Sequence, residues 1–148
     1  MNRDEKIKMI IENRYRTRRL NLLNALGLPR PMEITVLKVL EAKGETAVSG
    51  IAKEIKATVP NVSRAVKQME QEGKVIRIAD SKDLRSTLVK ITGFGSEYLE
   101  KSVAAYVDFM YKALDRLSDG DVDDCLRVSE KLYAAYNEEL AARNLIHK

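Results

Sequence analysis

One cysteine and one histidine occur in the 148 residues, and no apolar run approaches the length that spans a bilayer. Cys125 has no partner for an internal disulfide and fits a reducing compartment. His147 is alone, so neither a three-ligand zinc site nor histidine-activated nucleophilic catalysis is available. Nothing supports a mechanism built on carboxylates only, and the sequence is read as a non-enzyme without cofactor or metal. The opening M-N-R-D-E-K-I-K is charged and lacks the apolar core of a secretory signal, so a cytoplasmic protein with no membrane association is expected. Prolines number three, and two of them, Pro29 and Pro31, stand together as a helix break.

What is present is charge, at 32%, with a net +4 spread unevenly. Residues 1–30 carry 8 basic against 3 acidic side chains, residues 31–92 carry 11 against 8, and residues 93–148 carry 7 against 11. A polyanionic partner is therefore expected to meet the first two thirds of the chain.

The chain is organised around Thr58 to Gly73, T-V-P-N-V-S-R-A-V-K-Q-M-E-Q-E-G. Val62, Ala65, Val66 and Met69 recur at spacings of three and four and define one apolar helix face. Pro60, Arg64, Lys67 and Gln71 fall on the other side. Asn61 and Ser63 flank that polar face near the helix start, the end that approaches base edges when a helix enters the major groove. Thr58 is suited to the N-cap, Pro60 to the first turn and Gly73 to a left-handed C-terminal cap. A surface helix shows the same amphipathic pattern, so the flanking segments must discriminate.

Before it, the periodicity predicts a helix from about Asp4 to Leu26 carrying the basic block Arg14, Arg16, Arg18 and Arg19, available to phosphate, an acidic ligand, the acidic C-terminal segment of a partner chain, or solvent. A second helix is expected over Pro31 to Lys43 with Ile34, Leu37 and Leu40 inward, and a third over Val48 to Lys56 with Ile51, Ala52 and Ile55 inward. Only Ala57 and Thr58 separate the third helix from the next, a helix-turn-helix spacing. After Gly73 the period changes to two. Val75 to Ala79 and Leu88 to Ile91 are expected to pair as a hairpin across A-D-S-K-D-L-R-S. Two helices of more than twenty residues follow, Phe94 to Leu117 and Asp119 to Arg143, whose apolar stripes require each other, the N-terminal helix and a second copy of the chain. The expected fold is mainly α with a small β-hairpin (α+β). An N-terminal helix of the dimerisation region spans 1–30, a winged helix-turn-helix module 31–92, and C-terminal dimerisation helices 93–148.

The blocks M-E-I-T-V-L-K-V-L, G-E-T-A-V-S-G-I-A-K-E-I, T-V-P-N-V-S-R-A-V-K-Q-M-E-Q-E-G-K-V-I-R and D-S-K-D-L-R-S-T-L-V-K-I-T-G-F-G stand in an order that resembles the MarR family of transcriptional regulators. The D-x-R of the hairpin tip (Asp83, Arg85) followed by I-T-x-x-G is the more specific part. The resemblance implies a homodimer on a pseudo-palindromic double-stranded DNA site, with repression as its default effect. It implies a recognition helix contacting DNA through Thr58, Val59, Pro60, Asn61, Ser63, Arg64 and Lys67. The wing would add Lys82, Asp83 and Arg85, with Arg85 in the minor groove and held there by a charge-assisted hydrogen bond that it donates to Asp83. It also implies a small aromatic or lipophilic effector, for which Tyr15, Arg18 and Tyr98 are the candidate lining residues. Two departures stand out. Leu84 replaces a second wing arginine of many relatives, predicting weaker wing affinity, and Gly93-Phe94 replaces a charged pair, predicting a more flexible hinge into the following helix.

Other constellations fit structure better. Asp119, Asp121, Asp123 and Glu130 take EF-hand positions, but Asp124 stands where the turn needs glycine. Ser118 as N-cap with acids in the first helical turn accounts for that cluster. Asn61-Val62-Ser63 matches a glycosylation sequon by coincidence. Cys125 falls on the apolar stripe of the last helix, where a small buried hydrophobe is the common role and redox sensing the alternative. The different-class alternative for the whole module is a winged helix used for protein-protein contact.

Overall fold

The computed structural model describes residues 1–83 and 85–145. Its elements are α1 (Arg3–Arg19), α2 (Leu22–Ala25), α3 (Pro31–Lys43), β1 (Thr46–Ala47), α4 (Val48–Ile55), α5 (Val59–Gln71), β2 (Val75–Ala79), β3 (Thr87–Ile91), α6 (Gly93–Leu114) and α7 (Asp119–Ala142). The chain forms two compact units, one running to Tyr106 and one from Val107 onward.

In the first unit, α3, α4 and α5 converge on one core. Val36, Leu37, Leu40, Ile51, Val62, Val66, Met69, Val75 and Val89 are sealed from solvent, and Leu99 of α6 joins them. Each helix supplies residues three or four apart, so the apolar stripes read from the sequence meet here. Ile34 and Ile55 pack at the margin, partly buried. The sheet has a strand that the alternation pattern misses. β1 pairs antiparallel with β3, Thr46 opposite Val89, giving the order β1-β3-β2. Two residues have no measurable period, so β1 is visible only through its partner.

The N-terminal helix is shorter than expected. α1 stops at Arg19, Asn21 takes the left-handed conformation at φ 47°, and the four-residue α2 follows. Asparagine tolerates that backbone better than most residues, and here it outweighs the continuing apolar pattern. Leu22, Leu23 and Leu26 are partly buried, whereas α1 buries none of its residues.

In the second unit, α7 begins as read: Ser118 Oγ accepts the Asp121 N–H at 3.2 Å, with Asp119 and Asp121 in the first turn. The acidic stretch is continuous helix, and no group of potential metal ligands occurs among the described residues. The expectation for Cys125 is corrected, however. It is exposed, because α7 buries no residue within the protomer. Among the described residues no helix is long and apolar enough to cross a membrane.

Candidate nucleic-acid interface

The helix-turn-helix is built from local caps. α4 ends with Lys56 at φ 55°, and the Ala57 N–H returns to the Ala52 carbonyl at 3.0 Å. Thr58 then turns the chain into α5, its Oγ1 accepting the Asn61 N–H at 3.4 Å, with Pro60 in the first turn where no donor is needed. At the far end Gly73, at φ 76°, closes a Schellman cap: its N–H bonds the Glu70 carbonyl (3.1 Å) and the Lys74 N–H bonds that of Met69 (2.9 Å).

Because Val62, Val66 and Met69 are completely buried, the opposite face is committed to solvent. Thr58, Val59, Pro60, Asn61, Arg64 and Lys67 are exposed there, Val59 by 49%, while Ser63 is half-buried at the margin. Arg64 Nη2 donates to Asn61 Oδ1, one turn nearer the helix start. That bond orients the guanidinium towards the N-terminal end of α5 and leaves its other N–H groups for a further acceptor.

The β2-β3 tip is shaped by aspartates. The Lys82 N–H donates to Asp80 Oδ1 (2.9 Å), the Arg85 N–H to Asp83 Oδ1 (3.0 Å) and the Ser86 N–H to the Asp83 carbonyl (2.9 Å). Asp83 thus grips the main chain at Arg85, whereas the resemblance implied a grip that steers the arginine side chain. Lys82, Asp83 and Arg85 are all exposed; Leu84 between them lies outside the described residues. Among the described residues Arg64, Lys67, Lys82 and Arg85 take part in no ion pair, while Arg77 on β2 is paired with Glu70 at 3.6 Å. Unpaired cations on an exposed helix face and an exposed hairpin tip are what a polyanion would neutralise.

Residues 31–87 of this winged helix-turn-helix match the family model described as the MarR family. Over that segment, which is less than half of the chain, the sequence is similar to the MarR family. It is 28% identical over 101 residues to YkoM of Bacillus subtilis, an uncharacterised HTH-type transcriptional regulator; the match covers 68% of this chain and 66%, just under two thirds, of that one. The crystal structure of YusO from Bacillus subtilis has the same fold, with a TM-score of 0.74 at 21% identity over 91% of this chain and 99% of that one. So has PcaV of Streptomyces coelicolor, solved with its natural ligand, with a TM-score of 0.65 at 14% identity over 85% and 91% of the two chains.

The three residues assigned to an effector are not gathered in the protomer. Tyr15 and Arg18 are exposed on α1, Tyr15 by 68%, whereas Tyr98 on α6 packs against Lys74 and Phe94. A cleft of about 510 Å³ lies at the end of α1, lined by Asn13, Arg16, Thr17, Arg19 and Leu20, of which the sequence pointed to Arg16 and Arg19 as part of the basic block.

Sequence reasoning also missed the junction between α5 and α6. Lys74 is buried, its ammonium paired with the Glu72 carboxylate and 3.8 Å from the centroid of the Tyr98 ring. Thr92 Oγ1 donates to the Gly73 carbonyl (2.7 Å), the Thr92 N–H to the Lys74 carbonyl (3.0 Å), and the Gly95 N–H to Thr92 Oγ1 (3.0 Å). Ser96 Oγ adds a bond to Glu41 of α3 at 3.0 Å. These bonds oppose, at the start of α6, the flexibility that Gly93-Phe94 led us to expect. The only sequence signal was the I-T-x-x-G block itself.

Burial disfavours the Lys74 charge, yet the Glu72 carboxylate, the Tyr98 hydroxyl and nearby Glu33 outweigh it and hold the ammonium above the ordinary lysine range. Hydrogen bonds from Lys74 and then Gln68 hold Glu72 below its ordinary 4.5. A depressed carboxylate stabilises the fold above its unfolded value, and that contribution is lost as pH falls through the folded value. The raised Lys74 contributes below 10.5 and loses its contribution only above that. Glu72→Gln should therefore lower stability at neutral pH and flatten its decline below pH 4.5, as followed by urea denaturation across the acid range. A decline as steep as that of the wild type would show that Glu72 is not part of it.

Proposed function

We propose that this chain is a MarR-type regulator, a homodimeric repressor that binds a pseudo-palindromic duplex, one α5 per half-site, and is released by a small aromatic or lipophilic acid. The observation that carries DNA recognition is α5, fixed by caps at both ends and presenting Asn61, unpaired Arg64 and unpaired Lys67 from a face opposite a sealed core. The Arg85 hairpin tip supports it with a further exposed cation suited to a narrow minor groove. Two-fold symmetry would space the half-sites by about one helical turn of DNA, 10–10.5 base pairs, or a multiple. The second copy is supported by α1 and α7, which bury nothing within the protomer while exposing Ile10 by 53%, Ile11 by 55% and Leu126 by 61%. An acidic effector fits the cleft at the end of α1, where Arg16 and Arg19 stand beside the apolar Leu20; binding of a natural ligand by PcaV supports an effector by analogy.

Fluorescence anisotropy of a labelled duplex, titrated at several salt concentrations, tests the reading. The logarithm of the affinity should fall linearly with log[salt], by about 0.9 per phosphate neutralised. Arg85→Ala should weaken binding to specific and random duplexes alike and reduce that slope by about 1. A flat salt response, or no duplex binding at low salt, would instead point to a winged helix that contacts protein.

A further inference from the structure

We propose that Lys74 is a positioning residue through which the first turns of α6 set the pose of the recognition helix, by way of its contact with the face of Tyr98. The inference rests on the reading of α5 as the base-contacting element. Lys74 is the second residue beyond α5, and its N–H to the Met69 carbonyl is half of the Schellman cap. Its carbonyl accepts the Thr92 N–H, and the backbone at Gly95 passes directly against that carbonyl. The side chain lies under Tyr98, with Glu72 neutralising its charge. One residue thus belongs both to the end of α5 and to the surface that receives α6.

An ammonium is a costly way to fill such a space, since a buried charge loses hydration that an apolar side chain never had. What the ammonium adds is direction: it is attracted to the centre of the ring face and held by one carboxylate, so small displacements of Tyr98 along α6 change its energy. At 5% exposure Lys74 is not placed to neutralise a phosphate. Removing its charge should therefore act on DNA only through the geometry of α5.

The experiment compares wild type, Lys74→Met, Lys74→Arg, Tyr98→Leu and Tyr98→Phe on a duplex selected by the wild-type protein from a random pool and on a random duplex. Lys74→Met and Tyr98→Leu should each lose about tenfold in affinity for the selected duplex, while affinity for the random duplex and its salt slope stay unchanged. The double variant should lose no more than either alone, and Lys74→Arg and Tyr98→Phe, which keep the cation and the ring, should retain most of the preference. Equal loss on both duplexes would make Lys74 a general contributor to binding or stability, and no loss would remove the coupling; either result overturns the proposal. If the wild-type protein binds neither duplex, the DNA-reading function fails instead, and amide hydrogen exchange then judges the coupling. Faster exchange at Gly73 and Lys74 in Lys74→Met, with Val66 unchanged, supports it, and unchanged exchange at the cap overturns it.

Discussion

Gly95→Ala should destabilise the module by about 3 kcal/mol, at the upper end of what overpacking costs. A Cβ built on Gly95 falls 2.9 Å from the Lys74 carbonyl carbon and closer still to its oxygen. The obstructing atoms are backbone, so no rotamer change relieves the clash. Moving that carbonyl would also disturb the hydrogen bond it accepts from Thr92 and the turn that caps α5. The control lies two residues earlier: a Cβ on Gly93 meets nothing within 4 Å, so Gly93→Ala should be neutral or add about 0.4–1 kcal/mol by restricting the unfolded chain. Thermal melts would separate the two, because each kcal/mol moves the midpoint of a domain of this size by several degrees, about 4–8 °C. If Gly95→Ala melts with the wild type, the close approach of α6 to the end of α5 is not tight.

Arg64→Ala should cost about 1–3 kcal/mol on a selected duplex and relax its sequence preference, while changing random-duplex binding much less. The basis is geometric. Arg64 is exposed, free of carboxylate partners among the described residues, and held by Asn61 towards the end of α5 that approaches bases in a helix-turn-helix. The same substitution removes the donor to Asn61, so Asn61→Ala should reproduce part of the loss. Competition binding against selected and random duplexes measures both. Equal loss on the two would assign Arg64 to the phosphate backbone and leave base reading to other residues of α5.

Much of this molecule is written locally. The Thr58 cap, Pro60 in the first turn and the Gly73 stop delimit α5 within a residue, because caps act through neighbours in the chain. The spacing of Val62, Val66 and Met69 decides which face is sealed, and therefore which side chains remain outside. Alternation after Gly73 locates β2 and β3, and Ser118 explains an acidic run that superficially resembles a calcium loop. The apolar spacing along α7 is legible in the sequence, but a pattern carries no information about what covers it. Within the protomer α7 has no fully buried residue, and Cys125 is exposed.

Contacts between residues distant in sequence are a different matter. β1 exists only because Val89 and Leu88 of β3 lie opposite Thr46 and Ala47. Lys74 reads as one more surface lysine until Tyr98, 24 positions on, is found over it. Residue order alone determined the winged helix-turn-helix, the limits of α5 and its outward side chains, since helix caps and apolar periods are short-range properties. Tertiary structure decided how α5 is joined to α6 and where Tyr98 points, since both depend on groups distant in sequence that approach only after the core has closed.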